Sequence, residues 1–448
     1  MRLYGTMEIS NSGVLHIGGI STVDLVEKYG TPLLVFDEWE IRKKAREYVK
    51  AFNKYYPNSR TVYASKAFLN QALCYIIEEE GLGLDVVSGG ELYIALKAGF
   101  PPEKIFFHGN NKSNAEIKMA VEAGIGRFML DNLKEARYIN KVAGRLEKSI
   151  KAILRVTPGI EAHTHEFIQT GQIDSKFGVS VYRDQALKAI EEIIRMDNIE
   201  LTGVHVHIGS QIFNLTSFSR TIDVMFEFMN NVRDKTGYIL KELDLGGGLG
   251  IPYTEDEPDP GIDEYARLVS EKVREKSHEF DYPLPVIINE PGRSIIGTAG
   301  TTLYTVGTVK EIPFIRKYLA VDGGMTDNIR PALYGAEYDA ILANRADDER
   351  EEIVSIAGKC CESGDILIHD IKMPEAREGD IIAIPCTGAY TYAMSSNYNG
   401  LRRPAVVLVN DGNADLIIKR ESYEDLIKND IVPARLRKIK LKKVVSHG

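Results

Sequence analysis

Lys66 closes the short β-branched run TVYASK (61–66), and two histidines, His205 and His207, alternate through GVHVHIG (203–209). Further along, ELDL leads into the glycine run Gly246-Gly247-Gly248-Leu249-Gly250, and VIIN leads into Glu290-Pro291-Gly292-Arg293. Each residue type brings its own chemistry. A lysine amine can condense with a carbonyl carbon, and glycines let backbone N–H groups close on a phosphate. A carboxylate buried beside a pyridine nitrogen keeps that ring protonated and makes it a stronger electron sink. Taken singly, each has a plain structural explanation: a solvated lysine, a tight turn, a core histidine. The glycine run is neither a GxGxxG followed by an acidic ribose partner nor a P-loop, so dinucleotide and NTP binding are not supported.

The company these residues keep depends on the elements that carry them. Short β-branched runs alternate with amphipathic segments from about Thr61 to Arg293, the pattern of βα units around a parallel sheet. Strands are predicted at 61–66, 84–88, 104–110, 127–131, 152–158, 203–209, 242–248 and 286–292. Eight such strands close a (β/α)8 TIM barrel, whose chemistry gathers at the C-terminal strand ends. Alternation puts Ala64 on the face of Lys66, and puts Asp85 on the inward face of strand two, where it could pair with the Lys66 amine. His207 is placed as a flat platform for a planar ring and His205 as a core residue. Ser113 with Glu116 three residues on marks a capped helix start, and another helix begins near Asp37.

After Ile296 the rhythm changes to strands and turns without long helices, which predicts a mostly antiparallel C-terminal β domain. The first residues, LYGTMEISNSGVLHIGG, read as part of it. The expected division is a barrel over 36–296 and a β unit made of 1–35 plus 297–448. YTEDEPDPG and ANRADDEREE read as surface loops.

Composition narrows the function classes. A formal charge of -9 argues against a dedicated nucleic-acid surface, and the basic run Arg435 to Lys443 reads as a solvated tail. Four cysteines in 448 residues, at 74, 360, 361 and 386, form neither a disulfide framework nor a CxxC zinc spacing, which fits a reducing cytoplasm. No run of about 18 apolar residues suggests a membrane span, and no signal peptide is recognisable.

The inward histidines, with His163 and His165 as a second HxH, leave open a metal-dependent barrel hydrolase. The acid at strand eight favours the other reading. An arginine against a ring nitrogen would suit racemisation, whereas a glutamate suits a decarboxylation in which the carbanion is fully delocalised.

The motifs YASKA, HVHIGSQI, GGGLG, EPGRS, RPALYGA, CESGD and TGAYTYAMSSNYNG, in that order between about Val35 and Val409, resemble the diaminopimelate decarboxylase family of fold-type III pyridoxal-phosphate enzymes. TPGIEAHTHEFIQTGQIDSKFG (157–178) is similar to it as well. Lys359-Cys360 departs from the family's usual lead-in to Cys361-Glu362. The resemblance implies a barrel plus β domain, pyridoxal 5'-phosphate as cofactor, no metal, and a homodimer with shared active sites. It implies Lys66 as the Schiff-base lysine, His207 as the stacking ring and Glu290 at the pyridine nitrogen. Ser210, Gly247, Gly248, Gly292, Arg293 and Tyr390 would contact the cofactor. Arg293, Arg330, Tyr334, Glu362 and Tyr390 would bind an amino-acid substrate, and Cys361, supplied by the partner chain, would protonate the carbanion. Decarboxylation of meso-2,6-diaminopimelate to L-lysine, the last step of lysine biosynthesis, is the expected reaction. A related decarboxylase acting on ornithine, arginine or carboxynorspermidine is the nearest alternative. That substrate would leave two arginines unmatched, since they can grip a distal carboxylate bidentately.

Overall fold

The structure, a computed structural model, describes residues 2–159 and 175–437. Eight parallel strands close a barrel: Ser59–Ala64, Gly83–Val86, Ile105–Phe107, Arg127–Leu130, Ile150–Thr157, Ile199–His205, Glu242–Asp244 and Val286–Asn289. The first strand pairs with both the second and the eighth, so no edge remains. Each expected strand exists, but most end earlier than the sequence suggests. The first stops at Ala64, the sixth at His205 and the eighth at Asn289. Lys66, His207 and Glu290 therefore sit in the exits just past the ladder, where the backbone is free to turn.

Capping chemistry sets these exits. Asn70, Ser88, Ser113 and Asn132 each accept a backbone N–H from the first turn of the following helix. At Ser113 the capping box with Glu116 is complete. Helix Glu38–Tyr55, capped by Asp37, flanks the barrel and packs on helix Ile262–Glu279.

The second sheet runs in the order Ile366–Met373, Glu352–Ala357, Arg316–Val321, Gly300–Ile312, Leu33–Asp37, Ala405–Asn410, Asn413–Ile418, with Ile381–Ile384 also on the long strand Gly300–Ile312. It is mostly antiparallel; Leu33–Asp37 runs parallel to Ala405–Asn410, and Arg316–Val321 parallel to Glu352–Ala357. Two strands were not expected. Leu33–Asp37 is apolar at four successive positions because it is buried on both faces, so it lacks alternation. Ile366–Met373 carries His369, Asp370 and Lys372, which hide its period. The N-terminal segment forms its own small sheet of Glu8–Ile9, Leu15–Ile17 and Ile20–Ser21, and joins the β unit through packing of Leu15 and Ile17 and the bond from Leu15 N–H to Ala343 O at 2.8 Å. Among the described residues no helix is long and apolar enough to cross a membrane.

At the N-terminal floor of the barrel, Arg127 of strand four reaches across to Glu242 of strand seven with bonds of 2.9 and 2.7 Å, and Thr202 also donates to Glu242. Burial works to raise the Glu242 pKa, but Arg127 outweighs it and the carboxyl is held below its usual range. Removing one partner strands a buried charge, so Arg127→Ala should lower the unfolding free energy in urea by about 3–5 kcal/mol near neutral pH. Because the folded pKa is the lower one, this contribution is full above the unfolded value of about 4.3 and is lost as pH falls through the folded value. The wild-type and variant melts should begin to converge as pH falls below about 4.3 and go on converging until pH has passed the lowered folded value.

Candidate active site

Lys66 lies in the 3-10 turn Ser65–Ala67. The turn is tied to the second strand exit by Glu91, whose Oε2 accepts from Ser65 Oγ at 2.9 Å and from Val87 N–H at 2.7 Å. Ala67 O in turn accepts the N–H of Tyr390 at 2.9 Å, which draws the loop of the β unit over the lysine. That loop can approach so closely because residue 388 is glycine: a Cβ there would meet Ile296 O at 1.8 Å.

A small cavity of about 20 Å³ is lined by Lys66, His207, Ser210, Gly247, Gly248, Glu290, Gly292, Arg293 and Tyr390, together with Ala64, Leu249 and Ser294. The nine positions expected around a cofactor thus share one cavity, at the C-terminal mouth. A much larger cavity, about 710 Å³, opens at the other end of the barrel beside Arg127 and holds none of them.

Gly246 and Gly248 turn with φ of 63° and 119°. A side chain at Gly247 would meet Glu290 O at 2.2 Å, and one at Gly248 would meet Gly209 O at 2.6 Å. The turn therefore packs directly on the exits of strands six and eight. Ser210 Oγ accepts from Arg293 Nε and Nη2 at 3.2 and 3.0 Å.

Below the cavity lies a box of buried ionisable groups. Glu290 Oε1 is 2.6 Å from His108 Nε2, and Oε2 is 3.3 Å from His205 Nε2. Burial works against the Glu290 charge, but the two imidazoles outweigh it and its pKa falls well below the usual carboxylate range. Burial pushes His205 down to about 3 and His207 well below its usual value. Burial, reinforced by Glu290, raises the carboxyls of Asp85 and Asp244. Burial also opposes a charged Lys66, yet Asp85, Tyr390 and Glu290 outweigh it and its pKa is raised. Asp85 acts on Lys66 through space only. No ion pair joins them, and the nearest imidazole to Asp85 is His108 at 3.9 Å.

His205 is therefore more than a core residue, because it faces Glu290. His108, His205 and Glu290 have ligand atoms within 4.8 Å of one another and could also hold a metal ion. That reading leaves Lys66 and the glycine turn without a role.

On the substrate side, the Arg293 and Arg330 guanidinium carbons lie 5.6 and 4.6 Å from the centre of one ring, Tyr253. Arg293 donates to the Tyr253 hydroxyl and Arg330 to the Tyr338 hydroxyl. Tyr253 is buried, so YTEDEPDPG is not wholly a surface loop. Tyr334 is half-buried on the short helix Arg330–Tyr334. Cys361 and Glu362 are exposed and do not line the cavity; Cys361 N–H donates to Asn399 Oδ1 at 2.7 Å. His163 and His165 lie outside the described residues, as do positions 160–174 of the family-like segment and the tail from 438 on.

Sequence reasoning passed over His108, Arg155, Asp244, Tyr253 and Tyr338. His108 directly follows the third strand within KIFFHGN, so the strand-exit rule that found Lys66 applies to it, whereas Arg155 lies inside the fifth strand in AILRVTP. Arg155 is half-buried, and desolvation lowers its pKa against the pull of Asp131, Glu290, Asp85 and Asp244. The two tyrosines lie in irregular segments with no periodic signal.

The residues fit pyridoxal 5'-phosphate. A buried amine is available for an aldehyde, an ionised acid for a ring nitrogen, and a glycine cradle that any Cβ would fill for a phosphate.

Comparisons with known proteins point the same way. Residues 39–297 match the pyridoxal-binding domain model of the pyridoxal-dependent decarboxylases. The diaminopimelate decarboxylase of Bacillus subtilis is 51% identical over 96% of this chain and 98% of its own, and that of Staphylococcus aureus is 46% identical over 95% and 99%. A crystal structure of diaminopimelate decarboxylase from M. jannaschii in complex with L-lysine superposes with a TM-score of 0.91 at 37% identity, over 97% of this chain and all of the other.

The glycine turn gives a test independent of any ligand. Gly247→Ala must displace the exit of strand eight, and should lower the melting temperature of the protein as purified by an amount equivalent to about 1–3 kcal/mol. An unchanged melt would mean that the turn has slack.

Proposed function

This chain belongs to the diaminopimelate decarboxylase family, and we propose the roles by which its residues convert meso-2,6-diaminopimelate to L-lysine and CO2. The observation that carries the reading is the joint presence of Lys66 and an ionised Glu290 in one cavity beside a glycine turn. Pyridoxal 5'-phosphate, when bound, supplies the electron sink for the pair released from the breaking carbon–carboxylate bond.

The chain's own groups do the rest. Lys66 Nζ is the attachment point for the cofactor aldehyde, and Glu290 holds a proton at the ring nitrogen. His207 is the platform for the ring. Ser210 with Gly247, Gly248 and Gly292 receives the phosphate, and Tyr390 closes the mouth. Arg293 and Arg330 form a fork for the distal carboxylate of the substrate, with Tyr334 beside them. Glu362 binds the distal ammonium, and Cys361 Sγ delivers a proton to the carbon that has lost its carboxylate. Because an unmatched buried fork is costly, a diamine precursor without the distal carboxylate is rejected by ~10⁴ or more.

We take the working form to be a cytoplasmic homodimer, with a barrel unit of 36–296 and a β unit of 1–35 plus 297–448. The exposure of Cys361 and Glu362 supports this reading, since their loop is free to complete the site of a second copy.

CO2 release should be strong from meso-diaminopimelate and at background from ornithine. The purified protein should show an absorption band of the lysine-bound cofactor that disappears in Lys66→Ala. A colourless wild-type protein carrying stoichiometric metal would favour the hydrolase instead, and rapid turnover of ornithine would overturn the use of the arginines. For the shared site, a mixture of Lys66→Ala and Cys361→Ala chains should recover activity well above either parent; no recovery would place each site within one chain.

A further inference from the structure

Glu290 is the group on which the electron sink depends, and the structure shows how its position and charge are held. It lines the Lys66 cavity, whereas His108 and Asp85 do not. His108 leaves the third strand beside it, with its ring edge-on to His205 at 5.0 Å between centroids. The 2.6 Å contact between His108 Nε2 and Glu290 Oε1 is short enough for a charge-assisted hydrogen bond. His205 Nε2 stands farther off, at 3.3 Å. His108 is 5% exposed and Glu290 also 5%, so water is a poor substitute donor.

We propose that His108 is a positioning residue for the decarboxylation, acting through Glu290: it donates its Nε2 hydrogen to Oε1, fixing the rotamer and the negative charge of the acid that holds the ring nitrogen.

The assignment of the hydrogen follows from the neighbours. Glu290 is driven to the ionised form and accepts only, so the hydrogen of the short bond belongs to His108. The groups packed round this bond are Asp85, His205, Asp244, Arg155 and Lys66. Burial leaves His205 uncharged, and the Asp85 and Asp244 carboxyls are shifted upward. Asp244, whose carboxyl is raised in part by a hydrogen bond to Glu290, also donates to the acid, but the 2.6 Å contact at Oε1 is that of His108. Losing the donor leaves an ionised carboxylate half-satisfied in a dry box, and it answers by taking up a proton or swinging away. Either outcome weakens the acid's hold on a ring nitrogen without touching the substrate fork.

The inference rests on the reading of Glu290 given above, so the test separates the two. His108→Leu removes the donor, His108→Gln keeps an N–H donor, and Glu290→Gln tests the acid itself. Three quantities are read for each variant: the dissociation constant for added pyridoxal 5'-phosphate, the absorption spectrum of the bound form between pH 6 and 9, and kcat and KM for meso-diaminopimelate. His108→Leu should lower kcat about 10- to 100-fold with KM within about threefold, the scale of one hydrogen bond to a charged group. It should also weaken cofactor binding and move the spectrum in the direction that Glu290→Gln moves it. His108→Gln should recover most of each. If Glu290→Gln alters the spectrum and kcat but His108→Leu alters neither, the positioning role is wrong and the acid's role stands. If Glu290→Gln alters nothing, both fall. If His108→Gln is as damaged as His108→Leu while its melting temperature is unchanged, donation to Glu290 is not what His108 supplies, and the proposal is overturned.

Discussion

An ionised carboxylate deep in a barrel is the constraint around which the rest of this molecule is arranged. Left alone, Glu290 would surrender its charge, since desolvation of an isolated carboxylate far exceeds what a fold can tolerate. It stays ionised because imidazoles from strands three and six converge on it, and because its two acidic neighbours give way. Three carboxyls so close cannot all be charged. Asp85 and Asp244 have no imidazole within hydrogen-bonding distance, whereas Glu290 has His108 at 2.6 Å, so the charge settles on Glu290. The choice of which acid ionises is thus made by where the imidazoles are placed.

Barrel closure turns that local choice into chemistry. The eighth strand pairs with the first, and Ala64 N–H donates to Pro291 O at 3.1 Å, so the acid and the amine leave adjacent strands side by side. Lys66 and Glu290, 224 residues apart along the chain, are brought together because the ladder has no edge. The opposite, N-terminal end is secured by Arg127 and Glu242, which span strands four and seven. Burying that pair at the floor stiffens the sheet whose other end must present its groups without slack, a division between stability and chemistry expected of such barrels.

How much of this the sequence announced varies with the kind of signal. The barrel was legible because βα alternation is periodic, and eight of the nine cavity residues because they stand at strand exits or in the glycine turn; Tyr390 came from the family resemblance alone. Leu33–Asp37 was not, since a strand buried on both faces has no alternation to detect. His205 and His108 were misjudged or missed for a different reason. Alternation reports which way a side chain faces, not which partner it will find, and the partner of both is an acid from the far side of the barrel. Tyr253 lay hidden in an acidic stretch whose composition is that of a surface loop. A buried aromatic in such a segment becomes visible only when the arginines that flank it are placed.

Those arginines show how the two units divide the work. The groups proposed to hold the cofactor lie on the barrel, apart from Tyr390, whereas Arg330 and Tyr338 come from the C-terminal β region and Arg293 from the exit that leads into it. Tyr253 touches both guanidiniums and so couples the two regions at the proposed substrate side, as the bond from Tyr390 N–H to Ala67 O does beside the lysine. The fork reaches the Lys66 cavity through Arg293, which lines it and donates to Ser210, whereas Arg330 does not line it. Recognition of the distal end of a substrate can therefore change by altering loops of the β unit while the acid, the rings and the lysine stay as they are. The charge of Glu290 is held from within the barrel, by its contacts with His108 and His205.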